Sequence, residues 1–349
     1  MDGLSEKIGE FPRIRLTNLP TPLERMSNLS ALMNGPTIWI KRDDCTGLAF
    51  GGSKVRALEF LMADVISKKC DYVLTTGEYF SNHVRLSAAA SRKLGLNPVA
   101  VISGKKPRNS EGNFLLDQLL GTDIRFAASK KTEIAIERGT SELRRQGHAT
   151  YILPEGGSSA LGIVGYVNLA LELQDQIDEM GINADYIVSA SSSGGIQSGL
   201  TVGNAFLKTS TKVLGISVYK GLEARLREDL LNKSKDVSGI LGIDTNLSPE
   251  DFLVTDYYST DDFKFLYNAK AVKETILLVA RTEGVFLEPL YTGKAMTVLL
   301  DMIRQKKIGK AKNVVFIHSG GIPALFGETM NHRSPPPPLM RLLKRAGLL

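Results

Sequence analysis

The 349-residue sequence is poor in the residues that hold metal centres and disulfide-bonded folds together. It contains two cysteines, Cys45 and Cys70, and one tryptophan. Two thiols without metal-ligand spacing argue against a disulfide framework and against a zinc site. We therefore expect no metal. The histidines form no helical metal-binding pair and are His83, His148, His318 and His332.

The sequence also lacks a long apolar run, a secretion signal and a basic block interleaved with aromatic residues. No stretch approaches the roughly 20 apolar residues that span a bilayer. The N-terminus, from Met1 to Lys7, has no charged-then-apolar pattern. The formal net charge of +6 is modest, so nucleic-acid binding has little support. We expect a soluble, cytoplasmic protein with no nucleic-acid or membrane partner.

The composition and the periodicity are those of a globular α/β protein. Hydrophobic residues make up 43% and charged residues 23% of the chain, and its length suffices for two domains. Short apolar runs alternate with helical segments, which favours parallel sheets with ligands at the carboxyl ends of the strands. The predicted strands are 37–41, 71–75, 98–102, 123–126, 150–153, 186–189, 212–218 and 313–318. The predicted helices are 54–67, 82–94, 113–120, 131–146, 161–180, 195–207 and about 270–283.

A lysine directly follows a glycine pair and a serine in the segment from Gly51 to Arg56. At a glycine-rich turn into a helix, Lys54 can be held away from water with its amine aimed at a ligand. Such a lysine can form a Schiff base with an aldehyde cofactor. The alternative is a surface lysine beside a flexible turn.

Two further segments join a predicted strand to a helix. The run from Ser191 to Gly199 is rich in serine and glycine, so its backbone N–H groups can surround an anion at a helix N-terminus. The run from Ser81 to Arg85 can cap a helix or present a hydroxyl and an amide to a substrate carboxylate. Read singly, each segment is also compatible with an ordinary turn.

The segments from Glu288 to Lys294 and from His318 to Ala324 lie near predicted strand or loop ends. Each is only a turn when read alone. Together with Lys54 and the two helix starts, they make a set that suits pyridoxal 5′-phosphate. That cofactor supplies the electron sink, while the protein supplies the lysine and the phosphate seat.

Several ordered motifs resemble the D-cysteine desulfhydrase / 1-aminocyclopropane-1-carboxylate deaminase family of tryptophan-synthase-β-like enzymes. The resemblance runs from about Leu19 to Phe326. It implies the two-domain fold of fold type II, with pyridoxal phosphate between the domains. The motifs are residues 19–23, 40–44, the Gly-Gly-x-Lys turn, 81–83, 154–158, 291–294 and the His318 segment.

The resemblance implies which residues hold the cofactor. Lys54 would bond to it and later move the Cα proton. Asn82 would contact the ring hydroxyl, and Thr292 and Ser319 would also lie beside the cofactor. The phosphate would be held, mainly through backbone N–H groups, by Ser192, Ser193, Gly194, Gly195, Ile196 and Gln197.

The resemblance also implies the substrate side of the site. Ser81 and His83 would bind the substrate carboxylate, and Tyr291 would stack near the substrate. Lys54, Ser81 and Tyr291 would be the catalytic residues. The full set expected to bind the substrate is Tyr79, Ser81, Asn82, His83 and Tyr291.

Thr292 stands where deaminase members of the family carry a glutamate near the ring nitrogen. A threonine leaves the ring neutral, which suits α,β-elimination from a substrate with a good leaving group rather than opening of a cyclopropane. The resemblance therefore implies a lyase that releases pyruvate, ammonia and sulfide from D-cysteine. The alternatives are a specialised-pathway enzyme of the same fold, doing β-substitution, deamination or racemisation on an unusual amino acid, and a non-catalytic binding protein.

The sequence departs from the family pattern at four places that would border the substrate or the cofactor. Ser53 replaces an asparagine, and Ile196 replaces a threonine of the phosphate loop. The segment Glu78-Tyr79-Phe80 replaces x-x-Gln, and residues 264–269 replace a Gly-Tyr-Gly-x-Pro loop. The Tyr79-Phe80 pair is expected to reshape the substrate pocket.

We expect a large cofactor-binding domain of residues 1–52 and 165–349 and a small mobile domain of residues 53–164. The resemblance implies a homodimer. A proline run at 334–338 predicts a stiff spacer, and residues 339–345 predict a short basic amphipathic helix that packs on the body or on a neighbouring subunit. Docking to a partner or to a membrane surface is the alternative for that helix.

Overall fold

The computed structural model describes residues 2–218, 223–255, 270–310 and 312–327. The predicted spacer and C-terminal helix, and the divergent segment 264–269, lie outside the described residues. Among the described helices, none combines the length and the apolar character that crossing a bilayer requires.

The described residues form eleven α-helices and ten strands. The helices are α1 Asp2–Gly9, α2 Ser27–Met33, α3 Lys54–Ser67, α4 Asn82–Lys93, α5 Gly112–Leu119, α6 Thr132–Arg145, α7 Ala160–Glu179, α8 Gly195–Leu207, α9 Glu223–Leu241, α10 Lys270–Glu283 and α11 Thr292–Arg304. The strands are β1 Leu23–Arg25, β2 Thr37–Lys41, β3 Tyr72–Gly77, β4 Asn97–Ser103, β5 Asp123–Ala127, β6 Thr150–Ile152, β7 Tyr186–Ser191, β8 Lys212–Ser217, β9 Leu253–Thr255 and β10 Asn313–Ile317.

The predicted helices and strands are confirmed to within two residues at their ends. The alternation of apolar runs with helical periodicity was sufficient to locate them, because strands buried on both faces read as short apolar segments. The sequence analysis did not predict α1, β1, α2, α9, β9 or α11. The two missed strands have three residues each, too few to show a period.

The strands form two separate sheets, and the predicted α/β fold is confirmed. One sheet has the order β1-β2-β10-β7-β8-β9, and the other has the order β5-β4-β3-β6. All neighbouring strands are parallel except β1, which pairs antiparallel with β2. In parallel α/β sheets, ligands bind beyond the carboxyl ends of the strands. The loops that follow β3 and β7, and the helices after them, therefore lie at a possible ligand site.

A continuous hydrophobic core joins α3 to α7. Leu58 and Leu61 of α3 and Ile163 and Val167 of α7 are at most 1% exposed and belong to one cluster. This cluster crosses the expected domain boundaries near 52/53 and 164/165. The presence of two sheets fits two domains, but their boundaries stay a prediction.

Candidate active site

A cavity lies where the N-termini of α3, α4 and α8 converge. Each helix follows a glycine- or serine-containing turn, so its first N–H groups lack intrahelical acceptors and face the same space. Residues that follow strands of both sheets meet here. The cavity wall consists of Ser53, Lys54, Glu78, Ser81, Asn82, His83, Glu155, Gly156, Ala190, Ser192, Ser193, Gly194, Gly195, Ile196, Tyr291 and Ser319.

Lys54 is the first residue of α3, and its amine points into the cavity. The Nζ atom donates to the carbonyl oxygen of Gly156 at 2.7 Å and to Oγ of Ser193 at 3.4 Å. Burial lowers the pKa of Lys54 to about 8, while the charge of Glu155 acts in the opposite direction. Near neutral pH a larger share of this amine than of an exposed lysine is therefore in the unprotonated, nucleophilic form.

The turn that carries Lys54 is held by a close crossing of two glycine pairs. Gly52 and Gly320 form an isolated antiparallel bridge, and the backbone N–H of Ser53 donates to the carbonyl of Ser319 at 3.0 Å. A Cβ atom on Gly320 would lie 2.6 Å from Cα of Gly52. Each pair looks like an ordinary turn in the sequence. The structure shows that both are needed for backbone contact beside the lysine.

The N-terminus of α8 forms a candidate anion-binding site, which we call the anion seat. It lies at Gly194 and Gly195, where no side chain covers the backbone. Gly194, the N-cap, has φ +80°, and a Cβ on Gly195 would lie 2.8 Å from Oγ of Ser158. The hydroxyls of Ser158 and Ser193 are 2.7 Å apart. Backbone N–H groups and these hydroxyls can together bind a phosphate.

The start of α4 is built from Ser81 and Asn82. The hydroxyl of Ser81 caps the helix by accepting from the N–H of Val84 at 3.3 Å. The side-chain oxygen of Asn82 accepts from Nδ2 of Asn113 at 2.8 Å. Asn113 also donates to the carbonyl of Phe80 at 2.6 Å. Asn113, on α5, thus fixes the orientation of Asn82, a role that the sequence analysis missed.

His83 lies deep in the cavity wall and is 3% exposed. Its Nε2 atom is 3.0 Å from Oγ1 of Thr75. Burial and the nearby charge of Lys54 lower the pKa of His83 to about 3. The imidazole is therefore neutral at physiological pH, and it can meet a carboxylate only by a hydrogen bond and not by its charge.

Tyr79 does not lie in the cavity wall, and its expected role in substrate binding stays a prediction. Its ring packs against the cluster of Val84, Ala100 and Ile102. The chain turns immediately after β3, so Glu78 faces the cavity instead. Phe80 is likewise absent from the wall, and the expected reshaping of the pocket by this aromatic pair stays a prediction.

Thr292 and the side chain of Gln197 are also outside the wall. The hydroxyl of Thr292 donates to Oε1 of Glu288 at 3.1 Å. The same hydroxyl accepts from the backbone N–H of Glu288 at 3.0 Å. The amide of Gln197 donates to the carbonyl of Leu253 at 2.9 Å. Gln197 therefore contributes only its backbone N–H to the helix start, and Thr292 supports the loop behind Tyr291.

Glu78 and Glu155 lie in the wall, although the sequence analysis gave neither a role. Burial and the charge of Glu78 raise the pKa of Glu155, while Lys54 acts in the opposite direction. Glu155 belongs to the motif 154–158, and Glu78 belongs to a segment that departs from the family. The motif and the departure were visible in the sequence, but neither showed that the two carboxylates line one cavity.

The comparisons with known proteins identify the family. The profile of the family described as pyridoxal-phosphate dependent enzyme matches residues 14–320. The chain belongs to this family. It is therefore an enzyme that uses pyridoxal phosphate, as the sequence analysis expected.

The chain is similar over most of its length to curated proteins with two names. It is 37% identical over 324 residues to a putative 1-aminocyclopropane-1-carboxylate deaminase of Pyrococcus furiosus, covering 91% of this chain and 94% of that protein. It is 37% identical over 325 residues to a D-cysteine desulfhydrase of Salmonella newport, covering 90% and 96%. A crystal structure of an ACC deaminase homologue superposes with a TM-score of 0.84 at 32% identity, covering 98% of this chain and 100% of that one. The expected family resemblance and fold type are confirmed.

The residues present fit pyridoxal phosphate. Oγ of Ser53 is completely buried in the wall and has no hydrogen-bond partner, so a ligand atom can satisfy it. The side-chain-free seat at Gly194 and Gly195 suits the phosphate, and the amine of Lys54 suits the aldehyde. When bound, the cofactor supplies the sink for the electrons of a broken bond at Cα.

Proposed function

We propose that this protein catalyses α,β-elimination from a small amino acid, with D-cysteine as the reference substrate. D-cysteine and one water yield pyruvate, ammonia and hydrogen sulfide. The similarity to a D-cysteine desulfhydrase over about nine-tenths of both chains supports this reaction. So does a site that combines a nucleophilic lysine with a carboxylate-binding helix start.

The observation that carries the proposal is the position of Lys54. Its amine lies 3.4 Å from Oγ of Ser193 at the anion seat, and the start of α4 borders the same cavity. In our proposal Lys54 takes the Cα proton, Ser81 and His83 bind the substrate carboxylate by hydrogen bonds, and Tyr291 packs near the substrate. The N–H groups at the start of α8, with Ser193, bind the phosphate.

The loop around Thr292 favours elimination over opening of a cyclopropane. Thr292 has no carboxylate, and the preceding acid, Glu288, is fully buried. Its oxygens accept from the N–H groups of Leu290, Tyr291 and Thr292 at 2.6, 2.9 and 2.7 Å. These hydrogen bonds hold the carboxylate of Glu288 in the loop, so it is not free to bind a protonated ring nitrogen. The alternative remains a specialised-pathway enzyme of the same fold.

We also propose the domain arrangement and the assembly. Residues 53–164, with the sheet β5-β4-β3-β6, would move against the rest of the chain, residues 1–52 and 165–349, and exclude water from the cavity. The same resemblance supports a cytoplasmic homodimer. Sedimentation velocity of the holoenzyme tests the dimer, and a single monomeric species would reject it.

The decisive experiment supplies D-cysteine, L-cysteine and 1-aminocyclopropane-1-carboxylate separately to the holoenzyme. We expect equal amounts of pyruvate and sulfide from D-cysteine and none with Lys54→Ala. Release of 2-oxobutyrate from the cyclopropane substrate without pyruvate from D-cysteine would replace elimination with deamination. Activity retained by Lys54→Ala would reject the assigned role of the lysine.

A further inference from the structure

Two carboxylates border the cavity without a hydrogen bond or a salt bridge to the described residues. Glu78 follows β3 and Glu155 follows β6, and both lie in the wall that contains Lys54. Neither side chain forms a hydrogen bond or a salt bridge with any residue in the described ranges. Because both residues line this one cavity, a single ligand can meet both carboxylates. Burial and the charge of Glu78 raise the pKa of Glu155.

The described part of the wall offers little positive charge to balance them. Lys54 is its one lysine or arginine, and the amine of Lys54 is committed to the cofactor. His83 is neutral because its pKa lies at about 3. The phosphate of the cofactor adds further negative charge at α8. A ligand group near Glu78 and Glu155 therefore experiences a negative potential.

The cavity is a ligand site independently of these acids, because the buried hydroxyl of Ser53 faces it without a partner. We propose that Glu78 and Glu155 select an amino acid whose β-carbon carries a protonated amine. This inference deepens the proposed elimination and rests on it. The probe of this substrate class is 2,3-diaminopropionate, offered as both enantiomers.

The chemistry of elimination suits a protonated β-amine. Lys54 removes the Cα proton, and the Cβ–N bond breaks with its electron pair leaving on nitrogen. Because the nitrogen already carries its proton, it departs as neutral ammonia. Addition of one water to the remaining enamine product gives pyruvate and a second ammonia. The two carboxylates assist by keeping the β-amine protonated.

The kinetic test compares 2,3-diaminopropionate with β-chloroalanine, whose leaving group is uncharged in the bound substrate. The quantity measured is the ratio of the two kcat/KM values for pyruvate release. We expect Glu78→Gln and Glu155→Gln each to lower this ratio about tenfold, and the double variant about a hundredfold, as for loss of a charge pair of modest strength. Glu137→Gln, an exposed acid on α6, serves as the matched control and keeps the wild-type ratio. An unchanged ratio in the double variant overturns the inference.

A binding test separates failure of the inference from failure of the proposed reaction. 2,4-Diaminobutyrate and 2-aminobutyrate differ by one amine and lack a β leaving group. Their Kd values follow from titration of the visible absorbance of the bound cofactor. We expect the charged ligand to bind tighter, with the preference lost in the double variant. Pyruvate from β-chloroalanine with no charge preference in binding would reject the inference alone. Absence of pyruvate from every substrate would reject the elimination and, with it, the inference.

Discussion

The amine of Lys54 donates to the carbonyl oxygen of Gly156 at 2.7 Å. This contact links the start of α3 to the loop after β6, so the lysine is positioned by a backbone oxygen and not by a carboxylate in contact. A carbonyl stabilises the ammonium less than a bound carboxylate does, and burial is the larger effect. The Gly156 carbonyl thus positions the amine, and burial lowers its pKa.

The rate at which the apoenzyme binds pyridoxal phosphate should rise with pH around the pKa of Lys54. The attacking amine must be neutral, and its pKa of about 8 lies below the 10.5 of an exposed lysine. Stopped-flow growth of visible absorbance after mixing measures this rate. We expect a midpoint near pH 8, and Lys54→Ala should show no such phase.

Glu155→Gln provides the internal comparison for that midpoint. The carboxylate of Glu155 raises the pKa of Lys54 against the effect of burial, so its removal should move the midpoint to lower pH. A midpoint that stays in place would show that Glu155 does not act on the amine.

Gly194→Ala should weaken cofactor binding by about tenfold or more. Gly194 has φ +80° at the start of α8, and an added Cβ would lie 2.9 Å from Cδ2 of Leu230. The strain of roughly 1–2 kcal/mol for a non-glycine residue in this region would displace the phosphate seat. Equilibrium dialysis of pyridoxal phosphate gives the Kd.

Gly239→Ala is the matched control for Gly194→Ala. Gly239 lies within α9, and its added Cβ would have nothing within 4 Å. Alanine should stabilise this helix by about 1 kcal/mol and leave the cofactor Kd as it is. Equal losses of cofactor binding in both variants would contradict a special role for Gly194.

Asn113→Ala should shift the visible absorbance band of the bound cofactor and lower its affinity several-fold. Nδ2 of Asn113 holds the oxygen of Asn82 at 2.8 Å, and Asn82 is proposed to contact the ring hydroxyl. Asn113→Asp should have the larger effect, because it places a carboxylate oxygen opposite the acceptor oxygen of Asn82. Absorbance spectroscopy of the holoenzymes measures both.

Asn204→Ala controls for loss of a buried asparagine as such. Asn204 is 7% exposed and donates to the carbonyl of Thr211 at 3.1 Å, away from the cavity. It should lower the melting temperature without moving the absorbance band. A band that is the same in wild type and in both Asn113 variants would refute the positioning role.

Glu172→Gln should destabilise the protein at neutral pH by an amount that shrinks in acid. Arg56 donates to both carboxylate oxygens of Glu172 at 2.9 Å. Burial alone would raise the pKa of Glu172, but the contacts with Arg56 and Lys41 outweigh it and lower the pKa from 4.5 to about 2. The stabilisation is complete above pH 4.5 and is lost as the pH falls toward 2.

The linked free energy is about 3 kcal/mol for a shift of this size. Urea unfolding of wild type and Glu172→Gln between pH 2 and pH 7 measures the difference between their free energies of unfolding. That difference should narrow below pH 5. A constant difference over the whole range would show that the ionised carboxylate is not the source of the stability.

The elements that the sequence predicted are those with a clear pattern of apolar residues or a clear helix start. The buried strand 98–102 reads as an unbroken apolar run, and the helix at Lys54 begins after a glycine pair and a serine. The six missed elements include β1 and β9, which have three residues each. Such short strands are specified by the neighbours they pair with and carry little local signal.

The sequence by itself determined the α/β class, the lysine at its turn, the anion seat and the cofactor, because these depend on local residue order and on motifs that are contiguous in the chain. Only the tertiary structure decided which side chains face the cavity. Tyr79 packs against a hydrophobic cluster, while Glu78 faces the cavity. Glu155, which is 77 positions further along the chain, faces the same cavity. Contacts between residues so far apart depend on how the sheets and helices pack, which a pattern of neighbouring residues does not contain.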